Sequence, residues 1–177
     1  MKKVILKYFA LLLLLFVSCK TLQINNEPAR SFLPMKIGNK WTIDSQNYTQ
    51  IQDTVRIDNK LYYKFYSLIG GDAVSTAYLR IDENNQLMES WPDLRGKEYT
   101  RAKFNSKVGD SFFTLNDAST NDYKVTVIKK TNKKITFSFE MIYHDNMKGE
   151  SHQVTYIKGQ GLDDGWKNIK IDTKIVK

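Results

Sequence analysis

The stretch Ile135-Thr136-Phe137-Ser138-Phe139-Glu140-Met141-Ile142-Tyr143 decides the fold class. Ile135, Phe137, Phe139, Met141 and Tyr143 fall on one face. Thr136, Ser138 and Glu140 fall on the other. A period of two with one apolar face marks a half-buried antiparallel strand. Just upstream, Tyr123, Val125 and Val127 alternate with Lys124 and Thr126 in the same way, and Thr131-Asn132-Lys133 supplies turn chemistry between the two runs.

Working outward, the same signals predict strands over Lys40–Ser45, Tyr48–Ile57, Leu61–Ile69, Ser75–Ile81, Gln86–Ser90, Tyr99–Phe104, Ser111–Leu115, Ser151–Ile157 and Trp166–Val176. Asp58-Asn59, Gly70-Gly71-Asp72, Asp82-Glu83-Asn84-Asn85 and His144–Gly149 punctuate them. No interior stretch holds a helical period. The expectation is an all-β domain over 35–177, an antiparallel meander with little helix. Residues 19–34 are polar, carry Pro28 and Pro34, and read as a tether.

One internal echo stands out. Lys36-Ile37-Gly38-Asn39-Lys40-Trp41-Thr42 is similar to Lys107-Val108-Gly109-Asp110-Ser111-Phe112-Phe113-Thr114. Two readings are open: convergent turn chemistry, or a duplicated half of the sheet.

Composition bounds the function. Hydrophobic residues at 41% and charged residues at 26% describe a globular chain, not a disordered, collagen-like or multi-spanning one. A single Cys excludes an intramolecular disulfide, and two His exclude a His-only three-ligand metal site.

Residues 1–18 read as a signal peptide. Lys2, Lys3 and Lys7 precede the apolar run Tyr8–Val17, which is too short to span a bilayer, and polar Lys20 and Thr21 follow at once. Removal of 1–18 takes three lysines and no acid from a net charge of +8, leaving +5. On a secreted protein this excess reads as a solvated surface, with added attraction to anionic lipid, and not as a nucleic-acid footprint.

Val17-Ser18-Cys19 resembles the lipobox of bacterial lipoproteins, with Phe16 where Leu is commonest. The resemblance implies cleavage before Cys19, acylation of Cys19 and anchoring in a membrane; more than one acyl chain gives a stable anchor. No Asp follows Cys19 and no acidic cluster follows it. The resemblance therefore implies an outer-membrane lipoprotein facing the periplasm. Phe32-Leu33-Pro34-Met35-Lys36-Ile37-Gly38-Asn39-Lys40-Trp41, Tyr78-Leu79-Arg80-Ile81-Asp82 and Gly159-Gln160-Gly161-Leu162 together resemble small Bacteroidota lipoproteins. That resemblance implies a strongly curved antiparallel sheet or an open barrel. It brings no activity.

Motifs for chemistry are weak. Gly159-Gln160-Gly161 lacks the third glycine and the helix of a dinucleotide loop. Asp82, Asn84 and Gln86 imitate a calcium loop but lack its sixth-position Gly. His144, Asp145, Glu150 and His152 surround one hairpin, and a hydrolytic site there needs several of them to converge. No Gly-x-Ser-x-Gly is present. The expectation is a non-enzymatic protein without cofactor or metal.

Aromatics carry the main functional signal. Leu61-Tyr62-Tyr63-Lys64-Phe65-Tyr66 has rings on both strand faces. One face must be core; the other could hold a ligand. Tyr63, Tyr66, Tyr78 and Trp91 are the expected binding residues for an apolar or amphiphilic ligand. The alternative is a protein-interaction module, an assembly subunit or an inhibitor of a periplasmic enzyme or toxin. Asp53-Thr54-Val55 resembles Bacteroidota O-glycosylation acceptors and implies a glycan on Thr54.

Overall fold

The computed structural model describes residues 31–171 and 174–176. The expected signal peptide, Cys19 and the expected tether up to residue 30 lie outside the described residues. Thirteen strands run in chain order: β1 Lys40–Thr42, β2 Tyr48–Ile57, β3 Lys60–Ile69, β4 Ala73–Ile81, β5 Gln86–Ser90, β6 Tyr99–Lys103, β7 Ser111–Phe113, β8 Lys124–Lys130, β9 Lys134–Glu140, β10 Ser151–Ile157, β11 Gly161–Leu162, β12 Asn168–Ile171 and β13 Lys174–Val176. Among the described residues there is no helix.

Two antiparallel sheets result. The larger has the order β13-β12-β1-β2-β3-β4-β5-β6, and the smaller the order β11-β10-β9-β8-β7. The larger sheet is strongly curled into a half-barrel. Both are meanders, apart from one long-range closure: β12 returns to pair with β1, setting Trp41 opposite Ile169. The expected single strand Trp166–Val176 is in fact two strands paired with each other. An even apolar alternation carries no mark of where the chain reverses, so the pattern alone could not divide it.

Local chemistry explains the turns. Asp58 and Asn59 both take positive φ, 48° and 64°, as a two-residue hairpin between Ile57 and Lys60 requires. The core lies between the sheets. Trp41, Ile51, Phe65, Leu87 and Phe104 meet Phe112, Val125, Val127, Ile135, Phe137 and Tyr156. The tether ends earlier than the polar composition suggested: Phe32 and Leu33 are buried in this core, and Phe32 stacks on Phe104 at 5.2 Å.

The internal echo proves to be far more than a turn. Gly38 N–H donates to Ile51 O (2.8 Å), Ile51 N–H to Asn39 O (2.9 Å) and Asn39 N–H to Lys36 O (3.1 Å). Gly109 N–H donates to Val127 O (2.9 Å), Val127 N–H to Asp110 O (3.0 Å) and Asp110 N–H to Lys107 O (3.1 Å). The two glycines share φ near +90°, at 92° and 94°, which only glycine adopts readily.

A β-bulge follows each partner, between Ile51 and Asp53 in β2 and between Val127 and Lys129 in β8. Beyond the bulges the register still matches. Ile51 faces Phe65, which faces Ala77; Val127 faces Phe137, which faces Val154. Tyr63 faces Leu79, which faces Glu89; Ile135 faces Tyr156, which faces Leu162. Strands β1–β5 and β7–β11 are thus structurally equivalent five-strand units. The first gains β6 on one edge and β12–β13 on the other.

Candidate functional site

Equivalent units should bury equivalent side chains. At one end of the half-barrel they do not. The inner row of the second unit reads Phe112, Val125, Phe139, His152. The matching row of the first reads Trp41, Thr49, Ser67, Ser75. In the next row Ala77 stands where the second unit has Val154. Small residues thus replace Val125, Phe139 and Val154, and space opens. The result is a pocket of about 180 Å³ bounded by Trp41, Phe65, Leu79, Leu162 and Trp166, with Thr49, Ser67 and Ala77 on one wall.

The walls are held in place by polar contacts that spend their own donors. Trp41 Nε1–H donates to Gln160 O (2.5 Å), and Trp166 Nε1–H to Leu162 O (2.8 Å). Each indole thereby satisfies its polar edge and turns a ring surface to the pocket. The Thr49 and Ser67 hydroxyls bond to each other at 2.7 Å. Gly161 explains the late Gly-x-Gly-Leu: its φ is +102°, and a Cβ there would lie 3.0 Å from Leu33 Cδ1 and 3.2 Å from Trp41 Nε1. Tyr156 completes the lining, and burial pushes its phenol up to about 12. Among the described residues no Lys, Arg, Asp, Glu or His lines this pocket.

Next to it, on the inner row that continues from Leu79, lies a buried charge. Glu89 is 3% exposed and pairs with Arg101 at 2.5 Å. Burial pushes the Glu89 carboxyl above its ordinary range, against the opposing pull of Arg101. Arg101 also sits over the Tyr99 ring at 4.9 Å.

The outer face carries a second polar node. Glu98, in the segment joining β5 to β6, accepts hydrogen bonds from Arg80 Nη2 (2.7 Å) and Nε (3.0 Å), from Lys60 and from Tyr62. Burial works against its ionised form, yet these donors outweigh it and hold the carboxyl at about 2. The node clamps the 91–98 segment against β3 and β4, and Gly96 N–H donating to Asp58 Oδ2 at 2.7 Å extends the clamp.

The aromatic residues singled out in the sequence do not form one site. Tyr63 is on the inner face, packed against the core. Tyr66 is on the outer face, tilted against Tyr48 at 6.3 Å, with Lys40 Nζ 3.7 Å above the Tyr48 ring. Tyr78 is also outward, opposite Ser90, and Trp91 follows directly. None of the four lines the apolar pocket. Thr54 sits half-buried in β2 opposite Tyr63, its N–H donating to Asp53 Oδ1 at 2.7 Å.

The hairpin histidines are separated in role. His152 stacks on Phe139 at 5.2 Å and meets Tyr123 edge-on at 5.8 Å. His144 Nδ1 is buried and makes no hydrogen bond with any described residue. Among the described residues no group of three or more His, Cys, Asp or Glu is placed to hold a metal ion. Asp82 accepts from Asn84 N–H, Gln86 N–H and Gln86 Nε2, as a hairpin turn does.

The pocket residues Thr49, Ser67, Ala77 and Tyr156 were not legible as a site from the sequence. The available signal was the echo itself: carrying its alignment forward through the strands sets small residues against large ones. The fold and the pocket define an all-β half-barrel with an apolar recess between its two sheets. Comparison with protein-family models, with curated proteins and with solved structures found no match.

Proposed function

We propose that this chain is a non-enzymatic binding protein, anchored through an acylated Cys19 in an outer membrane, whose half-barrel receives a small apolar or amphiphilic molecule. One observation carries the reading. The first unit has Thr49, Ser67 and Ala77 where its structural equivalent closes the core with Val125, Phe139 and Val154. Packing alone favours filled interiors, so a recess kept open at three matched positions is a cost to stability. Its volume of about 180 Å³ exceeds the ~150 Å³ that suffices for a benzene-sized guest.

The test imports the second unit's residues. Ala77→Val, alone and combined with Ser67→Phe, should reduce ethylbenzene binding at least tenfold while keeping the protein folded and as stable as before, within about 1 kcal/mol. Binding is read from the indole N–H resonances. Trp41 and Trp166 line the pocket and should shift; Trp91 does not line it and serves as the internal control. Undiminished binding in a folded, filled variant would refute the reading. The anchor has its own check: the intact mass of the protein taken from its native membrane should exceed the chain from Cys19 onward by the mass of covalent lipid. An unmodified mass would sink that half of the proposal.

A further inference from the structure

The pocket has donors left over. Tyr156 is 6% exposed and lines the recess, yet its hydroxyl makes no hydrogen bond with any described residue. Among the described residues only His144 Nδ1 is a buried side-chain N or O without a partner, so the unpartnered Tyr156 oxygen is not sealed in and keeps open space beside it. The Thr49–Ser67 pair adds a second donor: whichever hydroxyl donates across their 2.7 Å contact, the other keeps its own O–H. Both indole N–H groups are spent on Gln160 and Leu162 carbonyls. Among the described residues the lining therefore offers O–H donors on an apolar surface, and no cation.

We propose that the pocket selects an uncharged molecule, or an uncharged segment of a larger one, that joins an apolar body to a hydrogen-bond acceptor such as a ketone or ester carbonyl, received by the Tyr156 hydroxyl. This rests on the binding reading above and specifies its ligand class. A carboxylate or phosphate would lose its hydration with no positive side chain among the described lining residues to offset the loss. A plain hydrocarbon would leave the phenol unmatched. Burial keeps Tyr156 protonated, so it remains a donor at neutral pH, and the nearby Glu89 and Arg101 act on it in opposite directions.

The test uses three probes of similar size on the whole chain carrying Cys19→Ser: ethylbenzene, acetophenone and benzoate. Each is titrated against the indole N–H signals. Acetophenone should bind about fivefold to tenfold more tightly than ethylbenzene, the range of one net hydrogen bond. Benzoate should bind at least tenfold more weakly than acetophenone. Tyr156→Phe should collapse the acetophenone preference to parity with ethylbenzene. A preference that survives in Tyr156→Phe overturns the proposal, and so does benzoate binding tightest to the unsubstituted protein, a comparison that needs no variant to fold. If ethylbenzene binds but acetophenone gains nothing, the ligand class is wrong while the pocket stands. If no probe moves the Trp41 and Trp166 signals, the binding reading falls and this proposal falls with it.

Discussion

Arg101→Met should destabilise the protein by about 3 kcal/mol at pH 7, and most of that deficit should vanish on acidification toward about pH 4.5. The cause is Glu89, whose side chain is 4% exposed and whose partner is the Arg101 guanidinium at 2.5 Å. Methionine keeps a hydrocarbon stem but gives up the guanidinium that sits over the Tyr99 ring, and it leaves the carboxylate buried and unpaired. The size sits at the lower end of the range for breaking buried pairs, because Arg101 itself is 43% exposed.

The sign follows from linkage. Burial already raises the Glu89 carboxyl, and Arg101 is what lowers it. Without Arg101 the folded-state value climbs further above the unfolded one, so the folded variant binds the extra proton. Its stability therefore increases as pH falls through that raised value, until the unfolded chain protonates too, near the ordinary value of 4.5. Urea unfolding at pH 7, 6, 5 and 4.5, in the variant and the unsubstituted protein, measures this directly. A deficit constant over that range would show that Glu89 is not the source.

How much of this was readable in advance differs by element. The strand faces were in part: Ile135, Phe137 and Phe139 are buried as expected, but β9 ends at Glu140 and Tyr143, on the same expected face, is 37% exposed. The Asp58-Asn59 hairpin was, because those two residues tolerate the positive φ that the turn demands. The pairing of β1 with β12 was not. It joins residues far apart in the chain, and nothing local in Lys40–Thr42 names its partner.

The repeat was half legible. Its opening turn appears in the sequence, but the equivalence beyond it is one of register, not identity. The linker between β1 and β2 is also shorter than that between β7 and β8, Ile43–Asn47 against Thr114–Tyr123, which breaks a constant spacing. The expected binding residues divide between the two faces. Tyr63 and Tyr66 differ by an odd number of positions in one unbulged strand, so they cannot share a face, and the recess belongs to Phe65 and Ser67, further along the Tyr63 face. A pocket walled by Trp41, Leu79, Leu162 and Trp166 needs three distant segments brought together, which no local pattern encodes.

The two units also make opposite demands on one shared side chain. Phe65 and Phe137 occupy equivalent positions, opposite Ile51 and Val127 respectively. Phe137 is fully buried, with Phe104, Phe112 and Tyr156 rings at 6.5, 6.3 and 6.1 Å. Truncating it leaves a closed cavity whose walls lose their contacts outright. Phe137→Ala should therefore cost about 4 kcal/mol, within the usual range for a buried Phe.

Phe65 stacks on Trp41 at 5.9 Å but borders the recess. Its removal extends a space that already exists, so fewer contacts are lost. Phe65→Ala should cost at least about 1 kcal/mol less than Phe137→Ala. Paired urea-unfolding curves with matched slopes would measure the difference. Equal costs, or the reverse order, would mean that the first unit is packed as tightly as the second, and that its small residues leave no usable space. The predicted order would mean that one unit supplies the closed core while its structural twin gives up packing density to keep a recess open. That division of labour ties the repeat to the proposed function: the second unit carries the stability that the first forgoes at Thr49, Ser67 and Ala77.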